Sequence, residues 1–299
     1  MRRQPIHRAF SLNIDHSDLA RAVDRQIGSG SPSAAILHRI LSLVNDPRSS
    51  AEELSRVLAL DRTLTEKTIR MVNSAAVGLP ANVTSIRQAV ILLGYTRVRT
   101  MAVALSAYAA VSSSSRSSRL DTALLWKHSV AAGAACATLA AMHHAYQGDA
   151  ETAFVAGLLH DIGKRFLDHN FQMPYAAARE YARREALSSF AAEERILNTN
   201  HARVGRMLAE HLQLPVAVQA GIGNHHDPRD VLADAAIVHA ADWLVWQAGV
   251  PSEAGGTPPL LDDDVARWLG FQDGDFERAV ERWQPAFSAA WDALGGEAS

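Results

Sequence analysis

The feature that most constrains this fold is the spacing of its apolar residues, which recur every three or four positions along most of the chain. The first such run consists of Ile36, Leu37, Ile40, Leu41 and Val44. This spacing places apolar side chains on one face of a helix. No stretch shows the alternating pattern of a half-buried strand, and 53 alanines add a further preference for helix. The sequence therefore predicts an all-α protein.

Local capping signals divide this pattern into separate helices. Ser50 and Glu53 match a capping box, in which each side chain accepts a hydrogen bond from the other residue's exposed backbone amide. Asp61 and Ser85 precede further apolar runs in the same way, and Gly94 ends the second of these. Further helices are predicted over 95–111, 121–142, 151–160, 174–187, 190–197, 201–212, 215–224, 233–248 and, with Trp and Phe at helical spacing, 263–294.

The composition disfavours several classes of function. Lys and Arg number 29 against 32 Asp and Glu, and aromatic residues make up 6%, so a nucleic-acid partner is not expected. The single cysteine, Cys136, excludes a disulfide within the chain and a zinc site built from thiolates. No apolar run is long enough to span a membrane, and the basic start is not followed by the apolar segment of a signal peptide. We therefore expect a cytoplasmic protein.

An ordered series of imidazole and carboxylate side chains distinguishes the second half of the chain. Its members are His128, His160, Asp161, His201, His225, His226 and Asp242. Such side chains suit zinc, iron and manganese. Asp161 follows a continuous apolar segment, where a carboxylate is costly unless it is paired or bound to a metal. His239 shares a helix face with Asp242, so it can either support that residue or pack in the core, and core packing is favoured.

The order of these residues resembles the HD phosphohydrolase superfamily. The string from Leu158 to Lys164 is similar to that of its HD-GYP and HDOD (HD-related output domain) branches. The N-terminal half favours HDOD. The segments that resemble the HDOD pattern there are Leu43–Pro47, Leu60–Leu64, Asn73–Ala75 and Ser85–Gly94. The similarity extends over roughly residues 33–245.

This resemblance implies a two-lobed, all-helical HDOD fold whose C-terminal lobe is HD-like. It places an N-terminal extension at residues 1–30 and the HDOD domain at 31–248. Within that domain, 31–111 would form the N-terminal lobe and 120–248 the HD-like lobe. Residues 249–299 would be a linker followed by a helical segment, since several Pro and Gly residues lie in 249–262.

The resemblance also implies a site for one or two divalent ions: iron, zinc or manganese. One ion would be held by His128, His160, Asp161 and Asp242. Asp161 would bridge to a second ion, held by His201, His225 and, as a further candidate, His226. Lys164 would lie near a substrate phosphate, so Asp161 and Lys164 are the predicted catalytic residues.

Three functions remain open at this point. HDOD domains are bacterial and usually act as output or adaptor modules, so the first is a signalling module that acts through contacts with signalling proteins. The second is a metal-dependent phosphohydrolase or phosphodiesterase acting on a nucleotide or cyclic nucleotide, and the third is a nucleotide sensor without turnover. Residues Asp227-Pro228-Arg229-Asp230-Val231 stand where HD-GYP enzymes carry a Gly-Tyr-Pro segment, which argues against hydrolysis of cyclic di-GMP. The sequence does not predict an oligomeric state.

Overall fold

The chain folds into helices, as the sequence predicts. The computed structural model describes residues 12–28, 31–43, 49–74, 77, 79, 82–112, 120–143, 146–228, 233–270 and 275–294. Within these ranges all the regular secondary structure is helical and no strand occurs, which confirms the all-α prediction. The segment 229–232, which includes part of the departure from HD-GYP, lies outside the described residues.

The N-terminal lobe is built from short, capped, amphipathic helices. They are α1 (His16–Ile27), α2 (Pro32–Ser42), α3 (Ala51–Leu58), α4 (Arg62–Val72), α5 (Ile86–Leu93) and α6 (Tyr95–Ser112). Helix α1 falls within the N-terminal extension predicted for residues 1–30, but it packs on α2 and α6 and so adds to this lobe. The predicted capping box is present, because Ser50 and Glu53 each accept a hydrogen bond from the other's backbone amide. Helices α2 to α5 pack around α6, so α6 is the central element of this lobe.

The C-terminal lobe contains longer apolar helices. They are α7 (Thr122–Met142), α8 (Ala150–Leu159), α9 (Ile162–Asn170), α10 (Gln172–Glu185), α11 (Ser189–Leu197), α12 (His201–His211), α13 (Val216–Asn224) and α14 (Ala233–Gln247). Helices α7, α8, α13 and α14 pack against one another, and α9 packs on α12. Helix α6 contacts α8 and α9 and so joins the two lobes.

Small residues bring α7 and α8 unusually close together. A Cβ atom on Gly157 of α8 would lie 2.6 Å from the carbonyl oxygen of Ala132 in α7, a separation that real Cβ atoms essentially never show. On the facing side, a Cβ on Gly133 would lie 3.0 Å from the carbonyl oxygen of Phe154. The small residues of these helices therefore allow His128 of α7 to approach His160 at the end of α8.

The C-terminal part of the chain returns to both lobes. Residues 250–262, which we call the strap, follow α14 and precede α15 (Asp263–Leu269) and α16 (Asp275–Leu294). Helix α16 packs on α7 and also on α4. Its Trp283 indole N–H donates to the carbonyl oxygen of Ala131 at 3.0 Å. None of the described helices combines the length and apolarity that crossing a bilayer requires.

Candidate metal centre

The predicted ligands come from helix interiors and helix ends that meet inside the C-terminal lobe. His128 lies in α7, His160 and Asp161 form the turn between α8 and α9, and His201 begins α12. His225 and His226 follow α13, and Asp242 lies in α14. All of them are buried except His226, which is partly exposed. The fold thus brings residues from five separate stretches of sequence into one cluster.

One group of possible ligands consists of His128, His160 and Asp242. The Nε2 atom of His128 lies 3.3 Å from Nε2 of His160 and 3.2 Å from Oδ1 of Asp242. The Nε2 of His160 is 3.9 Å from the same carboxylate oxygen. These separations would let one ion contact all three side chains.

A second group consists of His201, His225 and His226. The Nε2 atoms of His201 and His226 are 2.9 Å apart, and each of the three imidazoles has a nitrogen within 4.8 Å of the others. The group adjoins the first, because the rings of His160 and His225 have their centroids 5.0 Å apart. The structure therefore offers two neighbouring positions for a cation.

The Asp161 carboxylate lies between these two groups. Its Oδ2 is 3.4 Å from Nε2 of His160 and 3.9 Å from Nε2 of His128, whereas its Oδ1 is 3.3 Å from Nε2 of His201. Each oxygen therefore faces a different group. This is the arrangement that a bridging carboxylate needs.

The outer nitrogens of the histidines are held by fixed acceptors. The Nδ1 atom of His128 lies 2.8 Å from the carbonyl oxygen of Val250, and the Nδ1 atom of His160 lies 2.7 Å from the carbonyl oxygen of Gly157. The Nδ1 atom of His225 lies 2.8 Å from the carbonyl oxygen of Ile222. We assign the proton to Nδ1 in each ring from these partners. The lone pair of each Nε2 then points into the cluster, as metal binding requires.

His201 is held by a buried carboxylate that the sequence analysis did not single out. Oε2 of Glu193 accepts from the backbone N–H of His201 at 2.7 Å and lies 2.6 Å from its Nδ1. Glu193 is 1% exposed. A carboxylate behind an imidazole fixes its tautomer and increases its basicity as a ligand. Because Glu193 precedes His201 by eight residues, on another helix, no local pattern indicates the pair.

Several buried acceptor atoms in the cluster have no hydrogen-bond partner among the described residues. They are Oδ1 of Asp161, Oδ1 of Asp242 and Nε2 of His225. Buried acceptors are costly when they are unsatisfied, and lone pairs that face one another repel. A cation would satisfy all of these atoms together, so the residues present fit a divalent ion.

The local electrostatics keep the cluster in the protonation state that binds cations. Burial lowers the pKa of His160, and it lowers those of His225 and His226 well below the usual range with help from neighbouring imidazoles. Burial opposes ionisation of Asp161, but Lys164 and the surrounding histidines hold its pKa well below its usual range. Burial opposes ionisation of Asp242, but the neighbouring His128 and His160 outweigh it and hold the pKa of this carboxylate at about 2. The imidazoles of His160, His225 and His226 are therefore neutral, and the carboxylates of Asp161 and Asp242 are ionised, at neutral pH.

Lys164 lies against the shared carboxylate. Its Nζ donates to Oδ2 of Asp161 at 2.8 Å and to Oγ of Ser252 at 3.0 Å. Burial opposes its charge, but the carboxylates of Asp161 and Glu253 offset this and raise the pKa of the ammonium group. Lys164 therefore stays protonated beside the cluster.

A cavity of about 320 Å³ opens beside the centre. Its polar lining includes Lys164, His201, His226, His239, Asp242, Ser252 and Glu253. Phe190, Trp246 and the strap residues Pro258, Pro259 and Leu260 supply an apolar side. A ligand in this cavity would reach both groups of possible ligands.

The strap belongs to the site, although its Pro and Gly residues predicted a linker. Besides the carbonyl of Val250 and the hydroxyl of Ser252, it carries the backbone N–H of Asp262, which donates to Nε2 of His239 at 3.0 Å. The other ring nitrogen of His239 lies 2.6 Å from the carbonyl oxygen of His225. His239 therefore joins the strap to the turn that carries His225, so it does more than fill the core.

Comparison with known proteins gives the family and the fold of the chain. The HDOD domain model matches residues 32–228, a range that ends before Asp242 and the strap. A solved structure of an HDOD domain protein with unknown function from Geobacter sulfurreducens is 24% identical, with a TM-score of 0.62, and the match covers 94% of this chain and 98% of that one. A candidate phosphohydrolase from Shewanella amazonensis is 20% identical, with a TM-score of 0.64 and coverage of 91% and 98%.

A candidate metal-dependent phosphohydrolase, also from Shewanella amazonensis, is 15% identical, with a TM-score of 0.60 and coverage of 93% and 98%. At these identities the likeness establishes a shared fold. No curated protein matches the chain.

Proposed function

Because this chain belongs to the HDOD domain family, related to the HD phosphohydrolases, we propose that it is a bacterial regulatory protein whose C-terminal lobe is a metal-dependent phosphohydrolase centre. The observation that carries this proposal is the position of Asp161, whose two oxygens face two separate groups of histidines. Packing alone does not require such an arrangement. The cavity beside it gives a phosphoester access to both groups.

The chain's own residues would share the work as follows. His128, His160, Asp161 and Asp242 would hold one divalent ion, and His201, His225 and His226 would hold a second one next to Asp161. Iron, zinc and manganese suit this set of nitrogen and oxygen ligands. Bound ions of this kind polarise phosphoryl oxygens and lower the pKa of a coordinated water.

Lys164 would stabilise the phosphate. Its ammonium group lines the cavity and stays charged beside Asp161. A fixed positive charge at this place favours an anionic ligand and offsets the charge that develops on the phosphoryl oxygens during hydrolysis. Glu193 would keep the imidazole of His201 in one orientation throughout.

Turnover is the direct test. The protein is purified without chelator, its metal content is measured, and it is reconstituted with iron, zinc or manganese. It is then assayed with bis(p-nitrophenyl) phosphate, nucleotides and cyclic dinucleotides. We expect hydrolysis by the wild type and none by a His160→Ala/Asp161→Ala variant. A wild-type protein that contains metal but hydrolyses none of these compounds would contradict the proposal.

A specific observation supports a second candidate, a module that acts through contacts with signalling proteins. Large apolar side chains are exposed on neighbouring parts of the N-terminal lobe: Leu60 after α3 is 58% exposed, and Ile91 and Leu92 of α5 are 74% and 45% exposed. Because α3 and α5 pack against each other, these exposed apolar side chains are candidates for one interaction surface. Under this candidate the metal centre would stabilise the C-terminal lobe. Intact metal content without turnover in the assay above would favour it.

A further inference from the structure

The strap is fixed to α10 and α11, beside the candidate centre, by several polar contacts. Its Glu253 carboxylate accepts a hydrogen bond from the hydroxyl of Ser189 and lies 3.6 Å from Nε of Arg179. Further along, the hydroxyl of Thr257 donates to the carbonyl oxygen of Leu187 at 3.2 Å. These contacts place the strap on α10 and α11, so the position of its remaining residues is set independently of Lys164.

Ser252 is the strap residue that touches the ammonium group. Its side chain is 2% exposed, and its Oγ accepts the 3.0 Å hydrogen bond from Nζ of Lys164. An ammonium group has three donors. Among the described residues, two of them are directed to Asp161 and Ser252. One donor is left for a ligand in the cavity that Lys164 lines.

Resting on the proposed function, we propose that Ser252 is a positioning residue for Lys164: its hydroxyl holds the ammonium group at the cavity wall, where the remaining donor meets an anionic ligand. Lysine has a long, flexible side chain whose ammonium group can turn about several bonds. The hydrogen bond to Asp161 fixes the direction of one N–H of the ammonium group. The hydrogen bond to Ser252 on the strap fixes a second N–H, so the third N–H has a defined orientation.

Orthophosphate binding in a double-mutant cycle tests this role. The full chain is compared with Ser252→Ala, Lys164→Ala and the double variant by calorimetry, both as purified with metal and after chelation. Ser106→Ala is the matched control, because Ser106 in α6 is also 2% exposed and donates to the backbone carbonyl of Ala102. The cycle isolates the part of the Ser252 effect that acts through Lys164.

We expect Ser252→Ala to weaken orthophosphate binding about fivefold while its metal content stays at the wild-type level, since one hydrogen bond to a charged group is lost. Lys164→Ala should weaken binding more, and Ser252→Ala should then add nothing. Ser106→Ala should bind like the wild type. Ser252→Cys, which keeps a side chain of similar size but a weak acceptor, should reproduce the loss.

Three results would overturn the inference. They are unchanged orthophosphate binding in Ser252→Ala, a Ser252→Ala effect on binding that is as large in the Lys164→Ala variant as in the wild type, and no orthophosphate binding by the wild type. A wild-type protein that holds no divalent ion but shows the expected cycle would instead overturn the proposed function and support this role of Ser252.

Discussion

The two lobes are both built from helices, but they bury different polar groups. Among the described residues of the N-terminal lobe, every buried polar side chain is uncharged: Gln26, Thr68, Ser74, Thr100 and Ser106. Most of them donate to nearby carbonyl groups, as Thr68 does to Leu64 and Ser106 does to Ala102. The C-terminal lobe instead buries carboxylates, imidazoles and an ammonium group around Asp161.

This difference indicates which lobe has a core that gives up stability for a site. Burying charge in a protein core is often neutral or unfavourable compared with apolar packing. The C-terminal lobe accepts that cost and also leaves acceptor atoms of Asp161, Asp242 and His225 unsatisfied. The N-terminal lobe avoids it. We therefore expect substitutions in the first lobe to change stability only, and substitutions around Asp161 to change metal content as well.

The largest effects are expected from two single variants, Asp161→Ala in the C-terminal lobe and Leu54→Ala in the N-terminal lobe, which are compared with each other. The first substitution removes the carboxylate between the two groups of ligands and leaves Lys164 buried without its partner. We expect most of the bound metal to be lost, and the chelated protein to lose about 3 kcal/mol of unfolding free energy. Leu54 is fully buried in the N-terminal lobe, so Leu54→Ala should cost about 3 kcal/mol by leaving a cavity.

Metal analysis and denaturant unfolding after chelation separate the two variants. Leu54→Ala should keep the wild-type metal content despite its similar loss of stability. Full metal content in Asp161→Ala would contradict the proposed centre, whereas loss of metal in Leu54→Ala would contradict the expectation that core substitutions in the N-terminal lobe change stability only.

A smaller effect is expected from alanine at one glycine in each lobe. A Cβ on Gly163 would overlap the backbone carbonyl oxygen of His201, so α9 and α12 would have to separate. Gly163→Ala should cost about 2 kcal/mol and reduce metal content in part. Gly94 has a φ of +89° and open space around it, so Gly94→Ala should cost about 2 kcal/mol through backbone strain and leave metal content unchanged. The same two measurements apply, and equal metal content in both variants would contradict the comparison.

The smallest effects are expected at two polar side chains that hold a neighbouring residue by hydrogen bonds, Glu193 in the C-terminal lobe and Asn73 in the N-terminal lobe. Glu193→Gln keeps the size of the side chain but removes the charge behind His201, so metal affinity should fall about tenfold or more with little change in stability. Asn73 bonds both the N–H and the carbonyl of Val83 in the N-terminal lobe. Asn73→Ala should therefore cost about 2 kcal/mol of stability and leave metal affinity unchanged, as competition with a chromogenic chelator can measure.

Much of the fold follows from local sequence. Helical spacing and capping residues such as Ser50, Asp61 and Ser85 predict where helices begin, because they act over a few neighbouring residues. No helix is predicted from the sequence over α1 or α9. Helix α9 begins directly after Asp161, whose side chain forms no capping hydrogen bond and faces the histidines instead.

The sequence by itself determined the helical class and, through the family resemblance, a candidate ligand set whose members the structure brings into one cluster. The tertiary structure alone decided that the oxygens of Asp161 face separate groups, that Glu193 lies behind His201 and that Ser252 meets Lys164. The reason is physical. A helix and its caps depend on residues a few positions apart, whereas these contacts join residues from 8 to 88 positions apart whose meeting depends on how whole helices pack.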